Sequence, residues 1–180
     1  MGSSGVGSGN LHSVFVYGSL LADDVVRVLL KRVPESSSAV LNNYHRFSIK
    51  GRVYPAILPL LNKTVTGKVL LGITDPELHI LDVFEDVEYQ RTTVDVSFMD
   101  NADKLQAQAY VWADKNDPNL YGDWDFQVIS YSYCVLAPHT VQLTRKRLST
   151  CSLLAYIIIS TYTTIHESNS LNLCWELGDS

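Results

Sequence analysis

Cysteine is missing from the first 133 residues; Cys134, Cys151 and Cys174 all come later. That excludes a cysteine nucleophile, a CxxC redox pair and a cysteine zinc site from the body of the chain. Three widely spaced thiols also make no disulfide framework. Charge is sparse, at 18% of residues with a formal net charge of -5. A phosphate lattice or an anionic membrane surface needs an excess of Lys and Arg, so neither nucleic acid nor membrane is an expected partner. Long apolar runs are absent as well. Leu153 to Ile159 is a run of seven, against the ~20 residues of a bilayer-crossing helix. No basic-then-apolar secretory signal is visible near Met1, and Val6 breaks the myristoylation pattern. A reducing, cytoplasmic setting is therefore expected. The chain also lacks a P-loop, a G-x-G-x-x-G and a G-x-S-x-G elbow. None of His12, His45, His79, His139 and His166 has a partner at metal-ligand spacing, so no metal and no cofactor are expected.

What is present fits one domain. A chain of 180 residues with 46% hydrophobic content can bury a real core. The apolar run Val14-Phe15-Val16-Tyr17 reads as a buried strand ending at Gly18. Asp23 and Asp24 can cap a helix over Val25 to Arg32, with Val25, Val28 and Leu29 on one face. Pro34 and Ser36 to Ser38 read as a loop. Tyr44 to Lys50, Tyr54 to Leu58 and Val65 to Ile73 read as extended segments, with Asn62-Lys63 as a turn. Asp75-Pro76 opens a helix reaching about Phe84 to Asp86, Asp as N-cap and Pro at the first position. Thr92 to Met99 alternates, turns at Asn101 to Asp103, and pairs with Leu105 to Trp112. About six short strands and two helices in mixed order point to an α+β domain on a curled, barrel-like sheet.

Two places carry candidate chemistry. Around Gly18, successive backbone amides of Tyr17-Gly18-Ser19-Leu20 can form a concave nest for an anion such as a carboxylate. The plain alternative is a strand–turn with no ligand. The second place is Glu85. At 100° per residue, Leu78, Leu81 and Phe84 share a helix face, and Glu85 falls within about 20° of Leu78. A carboxyl on an apolar stripe at a helix C-terminus has its pKa raised by desolvation and by the helix dipole. It can then accept and return a proton near neutral pH. The alternative is a frayed last turn with Glu85 in water. Asp82, Asp86 and Glu88 read as surface charges. The aromatic stretch from Tyr110 to Phe126 reads as edge packing and a turn at Tyr121-Gly122.

These segments, taken in order, resemble the γ-glutamylcyclotransferase-like superfamily, most of all its plant branch, the avirulence-induced-gene proteins. The resemblance rests on Val14 to Leu20, Gly51-Arg52-Val53-Tyr54-Pro55, Leu81-Asp82-Val83-Phe84-Glu85 and Tyr89-Gln90-Arg91. It closes with Tyr110 to Asp114 and Leu120 to Phe126, and covers roughly residues 13–127. It implies a small mixed β-barrel with flanking helices. It implies substrate binding by Tyr17, Gly18, Ser19, Leu20, Leu21 and Ala22, chiefly through backbone amides holding a glutamyl α-carboxylate, with Glu85 as the catalytic proton acceptor. The implied reaction is intramolecular acyl transfer on a γ-glutamyl amine or peptide, giving 5-oxoproline and a free amine. A catalytically inactive small-molecule-binding or stress-response module on the same fold is the alternative, and a related barrel lyase or acyltransferase acting on another small amide is a third. The expected organisation is a flexible leader at 1–11, the domain at 12–128 and an atypical tail at 129–180. That tail departs from the resemblance, which there implies a charged amphipathic helix, and is expected to be disordered. Neither the leaving amine nor the oligomeric state can be read from these residues.

Overall fold

The structure, a computed structural model, describes residues 10–124 apart from Val53 and Ala102. The leader expected over 1–11 lies outside these residues except for its last two, and the tail expected over 129–180 lies wholly outside them. The described chain runs β1 (Leu11–Val16), a 3-10 turn (Ser19–Leu21), α1 (Asp23–Leu30), β2 (Ser36–Ile49), β3 (Ala56–Thr74), α2 (Asp75–Glu85), β4 (Tyr89–Phe98), β5 (Lys104–Trp112) and β6 (Leu120–Tyr121).

The strands lie in the order β3-β1-β5-β4-β2-β6, and β2 also pairs with β3, so five of them close into a ring. Among the described strands only β1 and β5 pair in parallel. The α+β class and the curled mixed sheet are as expected, but the ring is not a regular barrel. Its closure depends on short ladders: Ala39 to Leu41 against Val96 to Phe98, and Val14 and Phe15 against Gln108 and Ala109. Val14 and Phe15 are fully buried and Val16 nearly so. A strand enclosed on both faces reads as a continuous apolar run rather than an alternating one. Gly67 of β3 sits against this strand, where a Cβ would lie 2.3 Å from the Val16 carbonyl oxygen and 2.7 Å from Phe15 Cζ. Only a residue without a side chain lets β3 pass so close.

Several local expectations are corrected. Ser36 to Ser38 are not a loop; they open β2 and pair with Leu70 to Lys68 of β3. The turn expected at Asn62-Lys63 is an irregularity inside β3. The register slips between Asn42 and Tyr44, Asn43 and Asn62 take φ of 60° and 61°, and the Asn62 N–H donates to Asn43 Oδ1 at 3.3 Å. Asn tolerates left-handed backbone at low cost, so turn-type residues here serve a bulge in two strands that both continue. Helix α1 begins at Asp23 with Ala22 as its uncapped N-cap. Asp23 and Asp24 instead lie in its first turn, binding Lys68 at 2.5 Å and Arg27 at 2.9 Å. Its buried residues are Val25, Val26 and Leu30, while Val28 is exposed. The amides of Val25 and Val26 both bond the Ala22 carbonyl, which ties the helix to the preceding 3-10 turn and sets its rotation.

Helix α2 starts one residue earlier than expected. Thr74 is the N-cap, because its hydroxyl accepts from the Glu77 N–H while the Glu77 carboxylate accepts from the Thr74 N–H at 2.9 Å. This reciprocal pair outcompetes Asp75 for the cap. Leu78, Leu81 and Phe84 are buried as the helical spacing requires.

Gly67→Ala is expected to destabilise the protein by about 3 kcal/mol through overpacking. Gly72→Ala, at φ 65° with open space around it, should lose only about 1 kcal/mol from backbone strain. Denaturant unfolding of the two variants checks the order; equal losses would contradict the close crossing.

Candidate functional site

Helix α2 packs on β1 and β3, and the charge of Glu85 at its end reaches Tyr17, the residue before Gly18. Glu85 is the last residue of α2. That last turn is held, since the Asp86 N–H donates to the Asp82 carbonyl at 3.2 Å. Glu85 is half-buried as a residue, yet desolvation of its carboxyl pushes its pKa up from 4.5 to about 8. The chain then leaves the helix through Asp86 at φ 62° and ψ -172°. This backbone region is essentially glycine's, and a non-glycine residue there stores about 1–3 kcal/mol of strain.

The turn that follows β1 is shaped by Gly18. A Cβ on Gly18 would lie 2.9 Å from Pro55 Cδ, so the Pro55 ring occupies the place of a side chain. The Leu21 and Ala22 amides are engaged within the turn, bonding the Gly18 and Ser19 carbonyls at 2.9 and 3.2 Å. The Ser19 and Leu20 amides open the turn, where no intrahelical acceptor exists. Leu20 anchors the turn with a buried side chain. Arg46 Nη1 donates to the Tyr17 carbonyl at 2.7 Å, and its guanidinium lies 5.0 Å from the centre of the Trp124 ring.

Electrostatics link the two halves. Tyr17 is buried, and its hydroxyl donates to the Tyr110 carbonyl at 2.5 Å. Burial and then the Glu85 charge raise the Tyr17 pKa well above the usual range, while the Ile57 amide and the Arg46 charge oppose them. Burial is also the main cause of the rise at Tyr110, followed by its hydrogen bond to Asp82, the Asp82 charge and the Glu85 charge, against the pull of Arg91. Both phenols therefore remain neutral donors around one carboxyl. Tyr110 donates to Asp82 Oδ1 at 2.8 Å, and Arg91 holds Asp82 Oδ2 at 2.6 Å.

The sequence reading missed this network, placing Asp82 and Glu88 among surface charges. One signal was available: Asp82 lies three residues before Glu85 and therefore one turn below it. The other partners needed the β4–β5 register, which sets Arg91 opposite Tyr110. Among the described residues no group of His, Cys, Asp and Glu is placed to hold a metal ion. His12 instead contacts Asp75 at 2.6 Å and His45 contacts Asp123 at 3.2 Å. No described helix is long and apolar enough to cross a membrane.

Fold and site together define a small α+β domain with a desolvated helix-end carboxyl electrostatically linked to a glycine turn. The family described as gamma-glutamyl cyclotransferase, AIG2-like, matches residues 14–126, and the chain belongs to that family. Among its relatives, AIG2-like protein D of Arabidopsis thaliana is 63% identical over 122 residues, 67% of this chain and 80% of that one. Protein AIG2 C of the same plant is 47% identical over 116 residues, 64% of this chain and 70% of that one. A solution structure of an Arabidopsis thaliana protein, 44% identical, covers 71% of this chain and 86% of its own with a TM-score of 0.61. A solved gamma-glutamyl cyclotransferase shares the fold at 14% identity, with a TM-score of 0.51 over 83% of this chain and 98% of its own.

The raised Glu85 pKa has a direct consequence for stability. The folded state keeps a proton that the unfolded chain releases near 4.5, so stability falls as pH rises from about 4.5 to about 8. Glu85→Gln removes that slope. It should match the parent below the window and exceed it above by on the order of 3–5 kcal/mol, measured by urea unfolding at several pH values. At the neighbouring position, Asp86→Val should cost about 1–3 kcal/mol more than Asp86→Gly; equal melting temperatures would remove the claim of strain.

Proposed function

We propose that the chain is a γ-glutamylcyclotransferase acting on a γ-glutamyl amine or peptide, with Glu85 as its acid–base group. The observation that carries this reading is the desolvated Glu85 carboxyl, pushed up to about 8, whose charge is felt by Tyr17 at the head of the Gly18 turn. Family membership supports the same reaction class.

The α-ammonium of the substrate loses its proton to ionised Glu85. The freed amine attacks the γ-carbonyl of the same glutamyl group, a C–N bond closes the five-membered ring, and the original amide C–N bond breaks. Glu85 returns that proton to the departing amine and relays the ring nitrogen's second proton to it as well, so that the amine leaves as an ammonium ion and the ring is neutral at nitrogen, as in 5-oxoproline. A carboxyl near pH 8 suits both transfers, because its proton affinity lies close to that of the amines it serves. No nucleophile of the protein is required; ring closure is governed by how the substrate is curled. The residues from Tyr17 to Ala22 supply the hold on the α-carboxylate, with the Ser19 and Leu20 amides as the donors the turn leaves available. The Tyr17 and Tyr110 hydroxyls stay neutral and so add no charge of their own near Glu85.

Incubation with γ-glutamyl-alanine, glutathione and γ-glutamyl-lysine, followed by detection of 5-oxoproline, tests this. Turnover should rise with pH through about 8, as the base form of Glu85 accumulates. Glu85→Gln should lower kcat by about a hundredfold or more without loss of fold. Binding at Tyr17 to Leu20 with no 5-oxoproline from any of the three substrates would replace the enzyme by a non-catalytic binding module.

A further inference from the structure

Arg52, Tyr54 and Glu88 take no part in the proton transfers above, yet among the described residues their side chains are tied to one another. Arg52 lies in the connection between β2 and β3. Its guanidinium donates to the Glu88 carboxylate and to the Tyr54 hydroxyl. It also lies 5.4 Å from the centre of the Tyr54 ring and 5.7 Å from that of Trp112. The Tyr54 hydroxyl in turn donates to Glu88 at 3.3 Å. A second tie joins the same two connections, from the Tyr89 hydroxyl to the Pro55 carbonyl at 2.7 Å.

Each end of this cluster leads to one half of the site. From Arg52 the chain reaches Pro55, whose ring stands against Gly18. From Glu88 it runs back three residues to Glu85. Between them lie Asp86, in its strained conformation, and Val87, which is 86% exposed. Packing therefore does not hold this connection. It is fixed by the Glu88 side chain on Arg52, by the Ala113 N–H on the Glu88 carbonyl at 2.9 Å, and by the Val87 N–H on the Asp86 carboxylate at 2.7 Å. A strained residue persists only where its surroundings over-determine it.

We infer that the Arg52–Glu88 pair is a clamp that sets the position of Glu85 relative to the Gly18 turn, making Arg52 and Glu88 positioning residues for the reaction. This rests on the function proposed above. Arginine is favoured because its delocalised guanidinium lies in cation–π range of both the Tyr54 and Trp112 rings while one of its nitrogens meets the carboxylate; a lysine ammonium is a compact, strongly hydrated point charge. At side-chain exposures of 33% and 25% the pair is shielded enough from water to hold its geometry. Releasing it lets Asp86 relax toward ordinary backbone angles, which turns Glu85 and admits water to its carboxyl.

The test compares the full chain with Arg52→Ala, Arg52→Lys, Glu88→Gln and the Arg52→Ala/Glu88→Gln double variant. Four quantities are read: thermal unfolding, the Glu85 carboxyl titration by carbon NMR, the amide shifts of Gly18 to Leu20, and the kinetics of 5-oxoproline release from γ-glutamyl-alanine. The clamp predicts cooperative folding, a Glu85 midpoint lowered by about one pH unit, and moved Gly18 to Leu20 amides. It also predicts kcat reduced about tenfold with a smaller change in KM. Lysine should not restore these values, and the double variant should be no worse than the worse single one, as for two parts of a single device. Should Arg52→Ala fail to fold, Glu88→Gln, which keeps the side-chain shape, carries the test alone. An unchanged Glu85 midpoint with unchanged Gly18 to Leu20 amides in the folded variants overturns the clamp, as does lower stability with kcat per folded molecule intact. A wild-type chain that releases no 5-oxoproline counts against the proposed function instead. The clamp is then decided by the titration and the amide shifts.

Discussion

The closure of the ring at β1 is the contact on which the rest depends. β1 is wedged between β3 and β5, fully buried at Val14 and Phe15, and it fits only because Gly67 leaves β3 without a side chain at the crossing. Tyr17 and Gly18 are where this strand ends, and α2 packs against it. Moving β1 outward would separate the turn from the helix end together. Gly67, which lies against the Val16 carbonyl one residue before Tyr17, thus bears on where the turn sits, because close-packed interiors transmit displacement instead of absorbing it.

Around that frame, the polar groups are arranged to leave one carboxyl in a weakly solvated setting. Tyr17 spends its hydroxyl on a β5 carbonyl and Tyr110 spends its own on Asp82, which Arg91 also holds. Neighbouring carboxylates of the same helix therefore take opposite roles. Asp82 is compensated by a cation and a phenol. Glu85 has burial as the main influence on it and is driven toward the neutral form. Environment, rather than residue type, separates them.

The strain at Asp86 belongs to the same arrangement. Helix α2 ends at Glu85 without a glycine to turn the chain, and the reversal toward β4 falls on an aspartate instead. Arg52, Glu88, Tyr89 and Pro55 join the two connections flanking the site, so the cost of that conformation is offset by contacts made some distance along the chain.

Local features were legible in the sequence. The apolar run at Val14 to Tyr17 indicated an enclosed strand, the spacing of Leu78, Leu81 and Phe84 placed Glu85 on the buried stripe of a helix, and the β4–β5 hairpin followed from alternation. Ordered motifs from Val14 to Phe126 carried the family resemblance. These properties depend on neighbours three or four residues away, or on the two-residue pleat, so a linear pattern records them. Local reading erred where a side chain had competing uses. Thr74 took the cap expected of Asp75, and Asn62 served a bulge instead of a turn. The partners of Asp82 and Glu88, and the reach of the Glu85 charge to Tyr17, were decided only by the tertiary structure. They join residues tens of positions apart through a strand register and a ring closure, and desolvation is a property of everything packed around a group, which no stretch of sequence states by itself.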